Sequence, residues 1–216
     1  MNTDVLFETY PYLLKGALQT LQMSVVTILL GTVLGLVLGL AAVSRFRVLR
    51  AVIDAYVFLT RGIPILVLMF ITYYAFPAVG YRISNVAAVT VALVIYAGAF
   101  YTDVVRGALR SLPRGQAEGA MSLGLPRRWI LFDILLPQAV KPSLPPWLNT
   151  SIVMVKSTSY ASIVGAWELT YASKEIVERT LATFEVFGVV MLFYFVICYP
   201  LSLLSRRLEK QTAVIN

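Results

Sequence analysis

The sequence predicts an all-α membrane protein, one domain over residues 1–216 that crosses a bilayer five times. Three observations carry this. Hydrophobic residues make up 59% of the chain. Charged residues make up only 13%, against about 25% in ordinary soluble domains. Uncharged apolar runs also recur at bilayer length, at 16–44, 62–81, 83–102 and 186–205, with 142–155 and 157–167 on either side of Lys156. A helical span needs about 20 mostly apolar residues. With helical flanks, the spans fall at 13–44, 52–76, 84–108, 138–165 and 185–205. Five buried core helices of a soluble protein are the alternative, which runs this long disfavour.

The first run exceeds a signal-peptide core of roughly 7–15 residues, so no cleavable leader is expected. The second span holds Arg61-Gly62-Ile63-Pro64, where Gly and Pro together can kink a helix. The third carries Asp103 near one end, spaced to pair with Arg106 at i+3. The fourth contains Lys156, followed by Ser157, Thr158 and Ser159. The link at 77–83 is short, the link at 45–51 is short and basic, and that at 166–184 is expected to be partly helical. The link at 109–137 is long. Within it, Ala117–Leu123 reads as two helical turns with Glu118 in the first, where the helix dipole favours a negative charge. Gly124-Leu125-Pro126 breaks that helix. Arg127–Leu136 starts another, and Pro137 marks the approach to the next span.

The basic residues set an orientation. Twelve collect on one side, namely Arg45, Arg47, Arg50, Arg106, Arg110, Arg114, Arg127, Arg128, Lys141, Arg206, Arg207 and Lys210. Four lie on the other, Lys15, Arg82, Lys174 and Arg179. The richer side is expected in the cytoplasm, with the N-terminus outside and the C-terminus inside. This bias explains the net charge of +7, so no nucleic-acid partner is expected. The chain has no histidine and one cysteine, Cys198. That removes the commonest general base and excludes an internal disulfide framework and a cysteine zinc cluster. Cys198 itself lies in an apolar run and reads as a small hydrophobe.

Charges inside spans are costly and are functional candidates. Lys156 and the hydroxyls after it can hold a zwitterion at mid-membrane, or Lys156 can lock to a neighbouring span. Arg61 can bind a carboxylate bidentately or pair internally. Asp103 can meet an amino group or pair with Arg106. Glu168, at the outer end of the fourth span, can greet an amino group or remain a solvated helix-end carboxylate.

Four segments, in order, resemble one family. "EGAMSLGLPRRWILFDILLPQAV" is similar to the loop of ABC-importer membrane subunits, Glu-Ala-Ala-x-x-x-Gly followed by an Ile-x-x-Pro ending, with Gly119 for the first Ala. "RGIPILVLMF", "YTDVVRGALRSLPRGQ" and "VKSTSYASIVGAWELT" resemble segments of its polar amino-acid uptake branch, with Asp103 in place of a Glu. The resemblance implies a type I ABC importer permease of the bacterial inner membrane. It implies a cytoplasmic coupling helix formed by Glu118, Gly119, Ala120, Ser122, Leu123, Gly124 and Leu125. The implied partners are a cytoplasmic ATPase subunit dimer, a second permease copy (identical or paralogous) and an extracytoplasmic amino-acid-binding protein. The chain has no phosphate-binding Gly-x-x-x-x-Gly-Lys-Ser/Thr loop. No enzymatic activity and no cofactor are therefore expected of it, with ATP and Mg²⁺ bound by the ATPase. The implied cargo is a polar amino acid, or else a related derivative or opine. A secondary transporter or channel working without an ATPase is the alternative, disfavoured by the docking loop and the lack of an inverted repeat.

Overall fold

The computed structural model describes residues 3–213, with side chains for 8–211, so the outermost residues of the expected 1–216 domain lie outside the described part. The elements are α1 (Thr3–Ala41), α2 (Arg47–Gly62), α3 (Ile65–Ala78), α4 (Asn85–Arg110), α5 (Arg114–Ser122) and α6 (Arg127–Trp129), then a π-helical stretch (Ile130–Leu135), α7 (Leu136–Ser157), a 3₁₀ stretch (Thr158–Val164), α8 (Leu169–Thr180) and α9 (Thr183–Ala213).

The centre of the fold is the contact of α1 with α4. Gly31, Gly35 and Gly39 recur every fourth residue, so they share one face of α1. A methyl group at Gly35 would lie 2.3 Å from Tyr101 Cβ, one at Gly31 2.7 Å from Ala97 Cβ, and one at Gly39 2.6 Å from Val105 Cβ. Ala97, Tyr101 and Val105 are themselves four apart. A ridge of α4 therefore lies in a groove that exists only because three side chains on α1 are missing, the small-xxx-small device of membrane helix pairs. Tyr101 is buried, shares a 2.8 Å hydrogen bond with Ser151 of α7 and stacks on Trp147. The Trp147 indole N–H donates to Thr32 of α1 at 2.8 Å. These bonds close α1, α4 and α7 into a triangle.

Among the described residues three helices are long and apolar enough to cross a membrane on their own, at Glu8–Ala41, Asn85–Arg110 and Thr183–Gln211. They overlie the first, third and fifth expected spans. The second expected span, 52–76, is not one continuous helix. It is split into α2 and α3, which meet at 108°. Pro64 has no N–H and disfavours helical geometry in the residue before it, and Ile63 is accordingly extended, at φ −92° and ψ 131°. The axis turns there. α2 also begins at Arg47, inside the expected link 45–51. The fourth expected span, 138–165, contains α7 and the 3₁₀ stretch. With Lys141, Lys156 and internal Pro142, Pro145 and Pro146, α7 falls outside the helices apolar enough to cross on their own. Pro137, expected to mark the approach to the fourth span, stands in the first turn of α7. The chain stays helical from Arg127 into α7 through the π-helical stretch just before it. Such a widened turn gives the proline ring room by changing the carbonyl it faces.

At the opposite end of α1 a clasp joins three helices. Glu168 is fully buried rather than a solvated carboxylate. Its Oε1 accepts the N–H of Tyr171 at 2.9 Å, capping α8, and its Oε2 accepts the hydroxyl of Thr20 on α1 at 3.2 Å. Thr20 Oγ1 in turn accepts the N–H of Leu169. Around this core pack Leu13 and Ala17 of α1, Leu169 and Ile176 of α8, and Val186 and Val190 of α9.

The seam predicts that Gly35→Val unfolds or loosens the helix pair. Overpacking costs about 1–3 kcal/mol where neighbours can move, and here backbone of Tyr101 lies in the way, 2.8 Å from the added carbon. A large fall in the unfolding temperature of detergent-purified protein checks this, and an unchanged value contradicts it. Burial raises the Glu168 carboxyl above its ordinary value of 4.5, although its hydrogen bonds pull it down. A raised carboxyl favours the fold most when protonated, so its contribution falls as pH rises through the raised value. Glu168→Gln keeps the capping oxygen without the charge and should leave stability at pH 8 equal or higher. Glu168→Ala strands a buried hydroxyl and N–H and should cost about 2 kcal/mol or more. Thermal unfolding of both variants at pH 5 and pH 8 measures the difference.

Candidate functional site

α5 starts at Arg114, three residues earlier than the expected Ala117, which moves Glu118 out of the first turn. Its other end is a Schellman turn. The N–H of Leu125 reaches the carbonyl of Ala120 at 3.3 Å, and that of Gly124 reaches Met121 at 3.0 Å. Gly124 stands at φ +73°, the left-handed conformation this motif demands and glycine adopts freely. The helix turns Ala120 inward, towards the body of the protein. Glu118, Gly119 and Ser122 are exposed and Leu125 is half-buried. Leu123 stands 81% exposed. A methyl group on Gly119 would meet nothing, so the glycine flattens the outer face without being needed for packing.

Beside the base of α5 opens a cavity of about 1050 Å³ between α4 and α7. Arg61 and Asp103 both line it. The Arg61 guanidinium donates to Asp103 and lies over the Phe100 ring at 5.0 Å. Arg106 donates to the other oxygen of Asp103 at 2.6 Å and to Asp54 of α2. The result is an alternating chain, Asp54–Arg106–Asp103–Arg61, that ties α2 to α4 next to the bend at Pro64. Single exposed ion pairs contribute about 0–1 kcal/mol. An alternating chain differs in that removing one member leaves its neighbours uncompensated.

The other candidate path residues do not line this cavity. Lys156 is exposed on α7, on one face with Val153 and Tyr160, and has no ion-pair partner among the described residues. Ser157, Thr158 and Ser159 donate to backbone carbonyls of Val153, Val155 and Lys156. Those bonds fall where α7 tightens into the 3₁₀ stretch. Glu168 belongs to the buried clasp. Thus the fold brings Arg61 and Asp103 together and leaves Lys156, Ser157, Thr158, Ser159 and Glu168 apart from them.

Two groups were not singled out from sequence. Asp54 carried a usable signal, as a carboxylate inside an expected span. Asn149, whose amide donates to Glu209 at 3.1 Å and whose carbonyl accepts from Ser205 at 2.9 Å, carried none. Its partners are remote in sequence and meet only when α7 and α9 pack.

Comparison with known proteins places this architecture. The family described as "Binding-protein-dependent transport system inner membrane component" matches residues 16–214. The chain is 35% identical to the probable glutamine ABC transporter permease protein GlnM of Bacillus subtilis (strain 168), over 97% of this chain and 99% of the relative. It is 32% identical to the glutamine transport system permease protein GlnP of Escherichia coli (strain K12), over 98% of each. A solved structure described as "Crystal structure of an amino acid ABC transporter with histidines" superposes with a TM-score of 0.89 at 27% identity, covering 98% of this chain and 99% of that one. With long apolar helices, an exposed helix–turn and matches along nearly its whole length, the chain belongs to the binding-protein-dependent inner-membrane component family and is an amino-acid ABC transporter permease.

Proposed function

We propose that this chain is the translocating subunit for a polar amino acid of the glutamine class, handed over by an extracytoplasmic binding protein and moved by alternating access. The glutamine permeases among its relatives support the cargo class. The path crosses the membrane five times, by α1, the bent α2–α3 pair, α4, α7 with its 3₁₀ stretch, and α9. The basic bias sets the N-terminus outside and the C-terminus inside. ATP and Mg²⁺ belong to a separate ATPase dimer, and the chain itself is no enzyme and binds no cofactor.

One observation carries the coupling role. α5 ends in a rigid glycine turn that holds Leu123 out, 81% exposed, on a surface of small residues where a partner's groove can approach. Closure of the ATPase would push α5 as a lever. α5 packs on the π-helical stretch, which leads without a break into α7, so displacement passes to the wall of the cavity. In this reading Arg61 and Asp103 face the substrate at the inner end. A second permease copy would cover the exposed face of α7, placing Lys156, with Ser157, Thr158, Ser159 and Glu168 behind it, along the pathway between two copies. This is a two-state element biased by a nucleotide-driven partner.

Reconstituted with its ATPase and binding protein, the chain should import glutamine only with hydrolysable ATP, and should co-purify with the ATPase. Uptake that survives ATP depletion, with no associated ATPase, rejects the reading. Replacing Gly124 tests the lever. A β-branched residue at φ +73° carries a backbone penalty of about 1–3 kcal/mol, whereas Asn tolerates the left-handed region. Gly124→Val should abolish most ATP-driven uptake with membrane insertion intact, and Gly124→Asn should restore it. Normal coupling in Gly124→Val would show that the turn is not part of the lever.

A further inference from the structure

A second cavity, of about 650 Å³, lies between the end of α1 and the segment 127–135, with Met121 of α5 also in its wall. Its walls are apolar, with Leu40, Val43 and Leu131 among them, and it includes Arg45, Arg127 and Arg128. All three arginines are exposed, and none has an ion-pair partner among the described residues. The nearest acids in sequence, Asp54, Glu118 and Asp133, do not line the cavity. Ser44 lines it as well, and its hydroxyl oxygen is one of the few buried side-chain polar atoms without a partner. Above the cavity α1 carries an exposed apolar stripe, Leu29, Val33 and Val37. At helical spacing this stripe leads to Leu40 at the cavity wall.

We propose that this cavity binds one anionic phospholipid of the inner leaflet. The phosphate sits among Arg45, Arg127 and Arg128, and the acyl chains run up the stripe of α1. Charge complementarity argues for it. Three positive side chains line one cavity, no carboxylate among the described residues pairs with them, and basic pockets between membrane helices on the cytoplasmic side bind anionic headgroups. The apolar walls argue for a lipid over a soluble anion or an acidic protein segment, because neither would use the stripe that continues the cavity into the bilayer. The leaflet rests on the orientation proposed above, but occupancy does not. Lipid bound at this cavity with the orientation reversed would refute the orientation alone.

The test uses the complete transporter, permease with its ATPase, purified in mild detergent and titrated with dioleoylphosphatidylglycerol or dioleoylphosphatidylcholine. Bound lipid is counted by native mass spectrometry. Each arginine near an anionic headgroup should strengthen binding severalfold, so the triple variant Arg45→Gln, Arg127→Gln, Arg128→Gln should weaken phosphatidylglycerol binding by about a hundredfold. Arg206→Gln with Arg207→Gln, which removes charge from the same face outside the cavity, should leave binding nearly unchanged. The three single variants, each severalfold weaker, serve if the triple variant does not fold. Equal retention by the cavity variants overturns the proposal. So does an equal loss in the control pair, which would make the attraction diffuse. Preference for phosphatidylcholine, or displacement of the lipid by inorganic phosphate alone, also overturns it.

Discussion

The approach of α1 to α4 is the constraint on which the rest of the structure depends. In lipid no hydrophobic force pushes two apolar helices together, so close contact must come from shape. Gly31, Gly35 and Gly39 supply a groove, and Ala97, Tyr101 and Val105 fill it. Because Tyr101 is then held at a fixed depth, its hydroxyl meets Ser151 and its ring meets Trp147. α7 is thus positioned by the two helices of the seam itself. The larger cavity lies between α4 and α7, two of the three helices that these contacts join.

Against that rigid centre, the chain places its irregular backbone at points of leverage. Pro64 bends α2 away from α3, the π-helical stretch absorbs Pro137, and α7 tightens into 3₁₀ geometry after Lys156. Non-helical backbone at membrane depth is tolerated where it is buried in protein or lines a cavity. Ser157, Thr158 and Ser159 satisfy carbonyls at the 3₁₀ transition. The charge chain from Asp54 to Arg61 crosses from α2 to α4 beside the proline bend, so the bend and the cavity wall are held by one set of ion pairs.

The charge distribution distinguishes the two cavities. At the cavity between α4 and α7, Arg61 is paired with Asp103, which Arg106 joins to Asp54. At the second cavity Arg45, Arg127 and Arg128 have no ion-pair partner among the described residues. α5 leaves Leu123 exposed, as the proposed contact with a partner requires.

Much of this was legible in the sequence because it rests on patterns that are local. Long apolar runs gave α1, α4 and α9, and Gly124-Leu125-Pro126 gave the end of α5, since a left-handed turn demands a residue without a side chain. Asp103 with Arg106 followed from spacing on one helix. The four-residue glycine period was present too, but a sequence shows only that a groove exists and not which ridge fills it. Composition by itself determined that this is a helical membrane protein, and the basic residues by themselves set an expected orientation for it. Tertiary structure alone decided that the second apolar run is two helices, that Arg61 meets Asp103, that Glu168 is a buried clasp, and that Asn149 meets Glu209. The physical reason is common to all four. Each depends on which helices pack side by side and at what angle, and that is set by complementary surfaces far apart along the chain.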